Sequence, residues 1–225
     1  MPSVQSLSLL LALSVPGSAL TVPHLAGTTG LRTVPKRIVV LEFGFMDALA
    51  RLGVKPVGIA ADGGSANEVL PHLCRDYRPE TPSVGNRHAP SLERILALRP
   101  DRIITDENDH KALYPQLNRR APTMLFCSYR GTDTGQLNQF EAISRIVGQE
   151  ALGKAVLADH LRLFSKVRAT SSPKAGQVVV GVLTPTGFYV LSDRSCLGSL
   201  LESLGRDIWS GYARTRPGIC CPWRG

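Results

Sequence analysis

The chain has 225 residues, of which 43% are hydrophobic and 20% are charged, and this composition excludes intrinsic disorder and collagen-like order. Lys and Arg number 26 against 18 Asp and Glu, and the net charge of +8 favours an anionic partner without identifying it. Aromatic residues make up only 6% and no run of five basic residues occurs, so we expect no nucleic-acid partner.

An uncharged apolar stretch, Ser6–Val15, has the length of the apolar core of a signal peptide, and small residues follow at Gly17–Ala19. The stretch is too short to span a bilayer as a helix of the mature protein. Met1–Gln5 carries no Lys or Arg, and the alternative interpretation is a buried core helix. We expect residues 1–19 to be a signal peptide that directs the chain to the periplasm. The first cysteine, Cys74, lies too far downstream for a lipid anchor.

A small edge hairpin is predicted first, over the Gly- and Thr-rich stretch Leu20–Thr33. The apolar run Ile38–Leu41 then predicts a strand that is buried on both faces, as the strands of parallel sheets are. Apolar residues at helical spacing predict a helix over Phe45–Leu52, and Val57–Ala60 is predicted as the next strand. These last three elements form a β–α–β unit with short connections.

The alternation of strand and helix continues beyond this unit. Further helices are predicted over Asn67–Leu73, Pro90–Leu98, Tyr114–Arg120 and Leu137–Val147, and further strands over Arg102–Thr105 and Pro122–Phe126. Such alternation predicts an α/β layer around a largely parallel sheet. Ligands of such sheets usually bind at the carboxyl ends of the strands.

A longer helix is predicted over Ala151–Thr170, where apolar residues recur every three or four positions through about five turns. Gln177–Leu183 and Gly187–Leu191 then read as strands, and Cys196–Leu204 reads as a helix. A second α/β lobe therefore begins near residue 176. The segment Arg206–Gly225 has neither strand nor helix periodicity.

These elements divide the chain into five parts. We predict a signal peptide (1–19), an N-terminal α/β lobe (34–147), a bridging helix (148–172), a partial C-terminal α/β lobe (176–208) and an irregular tail (209–225).

Four segments are recognisable when they are taken together. They are Pro35–Glu42 (PKRIVVLE), Ser83–Arg87 (SVGNR), Pro90–Ile104 (PSLERILALRPDRII) and Ala121–Thr123 (APT). In order and spacing they resemble the periplasmic iron-siderophore-binding proteins of bacterial ABC importers, the class that includes the ferric citrate binders and in which one long helix bridges two lobes. The resemblance extends over nearly the whole of the expected mature chain.

This resemblance implies a two-lobed α/β periplasmic-binding-protein fold with the ligand in the cleft between the lobes. Ala151–Thr170 would be the bridging helix. Members of the family continue after residue 205 with about two more β/α units, so the second lobe is expected to be truncated. The implied function is that of the substrate-binding component of an ABC importer, not of an enzyme. The ligand would be a ferric siderophore such as iron(III) dicitrate. The alternatives are haem or cobalamin on the same scaffold, and a non-functional fragment.

Arg87, Glu42 and Phe43 are the first ligand-binding residues expected on the first lobe. Arg87 lies in the loop where the family often places a ligand-binding arginine, and its guanidinium suits a carboxylate. The alternative is a solvated surface arginine. Glu42 and Phe43 directly follow a predicted strand and are expected at the rim of the cleft. Glu42 is expected to orient an arginine or to accept a hydroxyl proton, and the alternative for Phe43 is simple packing.

Further candidates follow two other strands. Ser128, Tyr129 and Arg130 come after the strand Pro122–Phe126, in a loop where relatives tend to carry an arginine. That arginine aligns with Tyr129, and Arg130 replaces it only after a shift of one residue. Thr184 stands where the dicitrate-binding relatives have an arginine, and this departure favours a less anionic siderophore.

The resemblance also implies partners. The chelator fills the coordination shell of iron, so we expect neither a protein metal ligand nor a cofactor. Glu93 resembles the helix glutamate that docks onto the permease of the importer in the inner membrane, and the alternative is a solvated helix face. We expect the protein to act as a monomer.

One acidic cluster suggests a different class of function. Asp106, Glu107, Asp109 and His110 are oxygen and nitrogen ligands of the kind that bind hard or borderline metals, as in an α/β metalloenzyme. Adjacent loop residues rarely converge on one ion, however. The competing interpretation, a polar loop that caps the next helix, is favoured.

Overall fold

The computed structural model describes residues 20–62, 81–128, 131–171, 176–185 and 187–209. The strands are β1 (Leu20–His24), β2 (Gly27–Leu31), β3 (Ile38–Val40), β4 (Gly58–Ala61), β5 (Ser83–Asn86), β6 (Ala89–Pro90), β7 (Arg102–Asp106), β8 (Thr123–Phe126), β9 (Gly181–Thr184) and β10 (Gly187–Val190). The helices are α1 (Phe43–Arg51), α2 (Leu92–Ala97), α3 (Glu107–His110), α4 (Tyr114–Asn118), α5 (Asp133–Ile146), α6 (Glu150–Thr170) and α7 (Cys196–Ser203). The predicted signal peptide and the predicted helix Asn67–Leu73 lie outside the described residues, as does nearly all of the predicted tail.

A six-stranded sheet in the order β6-β5-β4-β3-β7-β8 forms the core of the first lobe. Every pairing is parallel except that of β5 with β6, which is antiparallel. All residues of β3, β4, β7 and β8 are buried. Their mostly apolar sequences suit strands that are covered on both faces. The predicted parallel sheet is therefore confirmed.

Helices cover both faces of this sheet. On one face Phe45, Met46 and Leu49 of α1 pack with Ile143 and Ile146 of α5. On the other face, Ile95 of α2 and Leu117 of α4 pack against a second apolar cluster that includes Val39, Ala60 and Ile103. Alternate residues of β3 thus belong to opposite clusters, as the two-residue period of a strand requires. Two apolar layers result, one on each face of the sheet.

The predicted hairpin near the start of the chain is present as β1 and β2. Val22 and Leu31 anchor it, since both side chains are buried in the cluster that contains α1. The backbone N–H of Leu25 donates to the carbonyl of Leu125 in β8 at 2.8 Å. The hairpin therefore packs beside the last strand of the main sheet.

The long helix α6 has 21 residues and matches the long helix predicted over Ala151–Thr170 to within one residue at its start. Gly153 is its one buried residue. A Cβ atom at this position would overlap the side chain of Ser144 in α5, so the glycine permits a close approach of the two helices. Leu152, Leu161, Leu163 and Val167 are exposed.

The C-terminal part consists of the antiparallel pair β9–β10, a parallel bridge between Val178 and Ile208, and α7. The hydroxyl of Ser199 in α7 accepts a hydrogen bond from the backbone N–H of Asp133 in α5 at 2.8 Å. Apolar side chains of the hairpin are exposed, among them Leu183 and Phe188. Within the described ranges, the chain contains no helix with the length and apolar character needed to cross a bilayer.

Candidate functional site

Polar residues collect where the parallel strands of the main sheet end. Glu42 follows β3 and caps α1, Asp62 follows β4, Arg87 follows β5, Asp106 ends β7 and Ser128 follows β8. The carboxyl ends of parallel strands lie at one edge of the sheet, which brings residues that are distant in sequence together. We take this edge as the candidate site.

Glu42 is a buried carboxylate with two partners. It is the N-cap of α1, and its Oε1 accepts a hydrogen bond from the backbone N–H of Phe43 at 2.9 Å. Its Oε2 accepts one from Nη1 of Arg87, also at 2.9 Å. The residue is only 3% exposed, so these partners and the positive end of the helix dipole replace water around the charge. Glu42 therefore fixes the position of the arginine.

Arg87 lies between two carboxylates and an aromatic ring. In addition to the bond to Glu42, its Nε donates to Oδ1 of Asp62. Its Cζ lies 5.0 Å from the centroid of the Phe43 ring, within the range of a cation–π contact. Burial opposes the charged form, but the hydrogen bonds to Asp62 and Glu42 outweigh it and raise the pKa of Arg87 above its ordinary value. The side chain is 14% exposed, so Arg87 is not the solvated surface residue of the alternative interpretation.

The backbone of the loop explains how Arg87 reaches this position. Gly85 has a φ of +107°, a conformation that side chains disfavour. The backbone N–H of Arg87 donates to the carbonyl of Ala61 in β4 at 2.9 Å. The loop after β5 is thereby held against the end of β4, close to Asp62.

Asp106 and His110 form a buried network beside this loop. The Asp106 carboxylate accepts hydrogen bonds from the backbone N–H groups of Asn108 and Ser128, both at 2.7 Å. Nδ1 of His110 accepts from the backbone N–H of Asp106 at 3.1 Å, so Nε2 carries the proton and donates to the carbonyl of Arg87 at 2.6 Å. The network therefore connects the end of β7 to the ends of β8 and β5.

The acidic cluster follows the capping interpretation, because Asp106 is the N-cap of α3. Asp109 lies 2.8 Å from Nδ1 of His88, and Glu107 pairs with Lys111. Across the part of the chain that the structure describes, no three His, Cys, Asp or Glu side chains are grouped so that they could hold a metal ion. The side chains of the cluster bind backbone groups and neighbouring side chains such as Asn108, His88 and Lys111.

Ser128 packs close to the start of α1. Its side chain is half-buried, and a Cβ atom at Gly44 would overlap its hydroxyl. Gly44 therefore permits the end of β8 to approach the first turn of α1. The structure places Ser128 at the candidate site, where its backbone N–H is held by Asp106.

The remaining predicted residues are located as follows. Tyr129 and Arg130 lie outside the described residues, and only the backbone of Thr184 is described, at the end of β9. Glu93 lies in the first turn of α2 and is exposed. Both interpretations of Glu93, a docking residue and a solvated residue, predict this exposure. Of the predicted ligand-binding residues, Glu42, Phe43 and Arg87 are in mutual contact, and their ligand-binding role stays a prediction.

Sequence reasoning missed Asp62 and the link from His110 to Arg87. Asp62 lies two residues after the predicted strand Val57–Ala60, much as Glu42 follows the strand before it. Because the carboxyl ends of parallel strands meet at one edge, the same argument would have selected Asp62. The hydrogen bond from His110 depends on the path of the loop after β5, which the sequence pattern does not indicate.

Comparison with known proteins identifies the family. The model of a family described as periplasmic binding proteins matches residues 38–216. The chain belongs to the periplasmic binding protein family. The resemblance found in the sequence is therefore confirmed at the level of the family.

The names of two relatives of this periplasmic binding protein state a ligand. The Fe(3+) dicitrate-binding periplasmic protein of Escherichia coli (strain K12) is 38% identical over 195 residues, which make up 87% of this chain and 64% of that protein. The Fe(3+)-citrate-binding protein of Bacillus subtilis (strain 168) is 35% identical over 180 residues, or 80% of this chain and 56% of that protein. The chain thus spans less than two thirds of the length of either relative.

Solved structures show the same fold. A siderophore-binding protein bound to a complex between two molecules of acinetobactin and ferric iron superposes with a TM-score of 0.75 at 24% identity, over 86% of this chain and 68% of that one. A periplasmic catecholate-siderophore-binding protein from Vibrio cholerae gives a TM-score of 0.73 at 22% identity, over 85% and 67%. The predicted periplasmic-binding-protein fold is confirmed.

Proposed function

We propose that this protein is the substrate-binding component of a bacterial ABC importer and that it binds an anionic ferric chelate of the citrate or siderophore type. The observation that carries the proposal is the placement of Arg87 at the carboxyl edge of the sheet. Its guanidinium is held by the buried Glu42 and lies over the Phe43 ring. A cation that is fixed before binding loses little freedom when it pairs with an anion.

The relatives support the chemical class of the ligand. The two named relatives bind Fe(3+) dicitrate and Fe(3+) citrate. A chelator that already fills the coordination shell of iron needs charged hydrogen-bond donors from the protein and no metal ligand. The positive net charge of +8 favours the approach of such an anion. In this proposal the protein binds its ligand without chemical reaction.

The proposal also assigns location and partners. The protein would act as a monomer in the periplasm and deliver the chelate to an inner-membrane permease. Glu93 is the proposed docking residue, since it is exposed on α2 and its carboxylate is accessible to an arginine of a partner.

A binding titration tests the proposed function. Ferric citrate should raise the melting temperature and quench tryptophan fluorescence, and Arg87→Ala should weaken binding about 10- to 100-fold, the effect of losing a charge-assisted hydrogen bond. Arg94→Ala is the matched control, because Arg94 is exposed on α2. No response to ferric citrate or to any member of a ferric siderophore panel would refute the proposal. A response to haem or cobalamin alone would mean that this compound, and not a ferric chelate, is the ligand.

A further inference from the structure

Asp62 differs from Glu42 although both carboxylates contact the same guanidinium. The side chain of Glu42 is 4% exposed and has a second partner in the N–H of Phe43, whereas the side chain of Asp62 is 59% exposed. Water can therefore replace Arg87 around Asp62 at little cost, and it cannot do so around Glu42. Glu42 is the permanent partner of the arginine, and Asp62 is the exchangeable one.

The two carboxylates also use different parts of the guanidinium. Glu42 accepts from Nη1, and Asp62 accepts from Nε. The Nε–H and the neighbouring N–H of Nη2 point in the same direction and together match the two oxygens of a carboxylate. A ligand carboxylate that binds in this paired geometry needs the Nε–H that Asp62 holds.

We propose that Asp62 is a specificity-determining residue that competes with a carboxylate of the ferric chelate for the Nε edge of Arg87, an inference that rests on the proposed function. The competition acts in two ways. Asp62 must release the Nε–H before an anion can take it, and its negative charge repels that anion from the mouth of the site. Asp62 therefore lowers the affinity of the protein for chelates with a free carboxylate more than its affinity for chelates without one.

The loss of Asp62 should leave the fold intact. Its carbonyl, which accepts from the side chain of Asn86, is a backbone group that a substitution keeps. Glu42 would still hold Arg87 from the buried side. Asp62→Asn and Asp62→Ser are therefore suitable variants, and the second removes the side-chain carbonyl as well as the charge.

Binding of ferric citrate and of a neutral ferric hydroxamate should be measured for the wild-type protein and for both variants. We expect both variants to bind ferric citrate about 3- to 10-fold more tightly, the range for releasing one exposed ion pair and removing one nearby like charge. We expect their affinity for the neutral hydroxamate to change less than 2-fold. Asp159→Asn is the matched control, since Asp159 forms an exposed ion pair on α6 and its loss changes the net charge equally.

The background variant Arg87→Met separates competition from simple charge repulsion. In that background, Asp62→Asn should give a markedly smaller gain, because the shared guanidinium is gone. An equal gain in affinity for ferric citrate in both backgrounds would overturn the inference. Unchanged or weaker binding of ferric citrate by both Asp62 variants would overturn it too. So would a gain in affinity of the same size in Asp159→Asn. Binding of ferric citrate by the wild-type protein without these gains refutes the inference alone. A complete absence of ferric chelate binding by every variant would refute the proposed function along with it.

Discussion

The pairing of Glu42 with Arg87 can be tested with a double-mutant cycle. Arg87→Met keeps an apolar side chain near the Phe43 ring but leaves the buried Glu42 carboxylate without its cationic partner. Breaking a buried ion pair from one side typically costs about 3–5 kcal/mol. The N–H of Phe43 and the helix dipole still stabilise Glu42 and offset about 1 kcal/mol of this cost. We therefore expect a loss of about 2–4 kcal/mol in the free energy of unfolding.

The reverse change should be milder. Glu42→Gln leaves Arg87 with Asp62 as a partner and with partial access to water, so we expect a loss of about 1–2 kcal/mol. The double variant leaves neither charge buried without its partner. Its loss should fall short of the sum of the two single losses by about 1–3 kcal/mol, the range for groups in direct contact.

Urea unfolding at pH 7, followed by far-UV circular dichroism, measures all four free energies. The exposed residues Glu93 and Arg94 supply control substitutions, Glu93→Gln and Arg94→Met, which should each change stability by less than about 0.5 kcal/mol. If the losses of the Glu42 and Arg87 variants add to within about 0.5 kcal/mol, the two side chains are not coupled and Glu42 does not hold the arginine.

Two further predictions concern the hairpin and the long helix. Burial lowers the pKa of His24 below its ordinary value of 6.5, so the unfolded chain takes up a proton that the folded chain resists. The melting temperature should therefore fall as the pH decreases from about 6.5, and the fall should be shallower in His24→Gln. Equal dependence of the melting temperature on pH in both proteins would refute the assignment of this effect to His24. Gly153→Leu should destabilise the protein by about 1–3 kcal/mol in urea, because α5 leaves no room for the side chain. Ala155→Leu, at an exposed position of the same helix, should be nearly neutral, and an equal loss at both positions would contradict the close packing of α5 and α6.

Strong local patterns were sufficient to predict most elements of the fold. The continuous apolar run of β3 and the long periodic helix α6 lie where the sequence places them. The short strands β5 and β6 at one side of the sheet were not predicted. Val84 is the one buried residue of β5, and β6 has only two residues, so neither has a periodicity that can be read.

The candidate site was predicted only in part, because its contacts depend on how strands and loops are arranged in space. Arg87 and Glu42 could be selected because each is the last residue of a recognisable segment. Their pairing depends on the sheet order β5-β4-β3, which places the ends of these strands side by side. Asp62 could have been selected by its place after a strand, but its contact with Arg87 depends on the same sheet order. The contact of His110 depends on the path of the loop after β5, and single-sequence patterns indicate neither the order nor the path.

Both margins of the main sheet carry features that oppose further strand pairing. At one margin, β6 is only two residues long and contains Pro90, which has no N–H to offer. At the other, both backbone groups of Leu125 are already used, its carbonyl by Leu25 and its N–H by His24 of the β1–β2 hairpin. These features oppose the addition of a strand from another chain, so they protect the first lobe against the edge-to-edge aggregation to which exposed strands are prone.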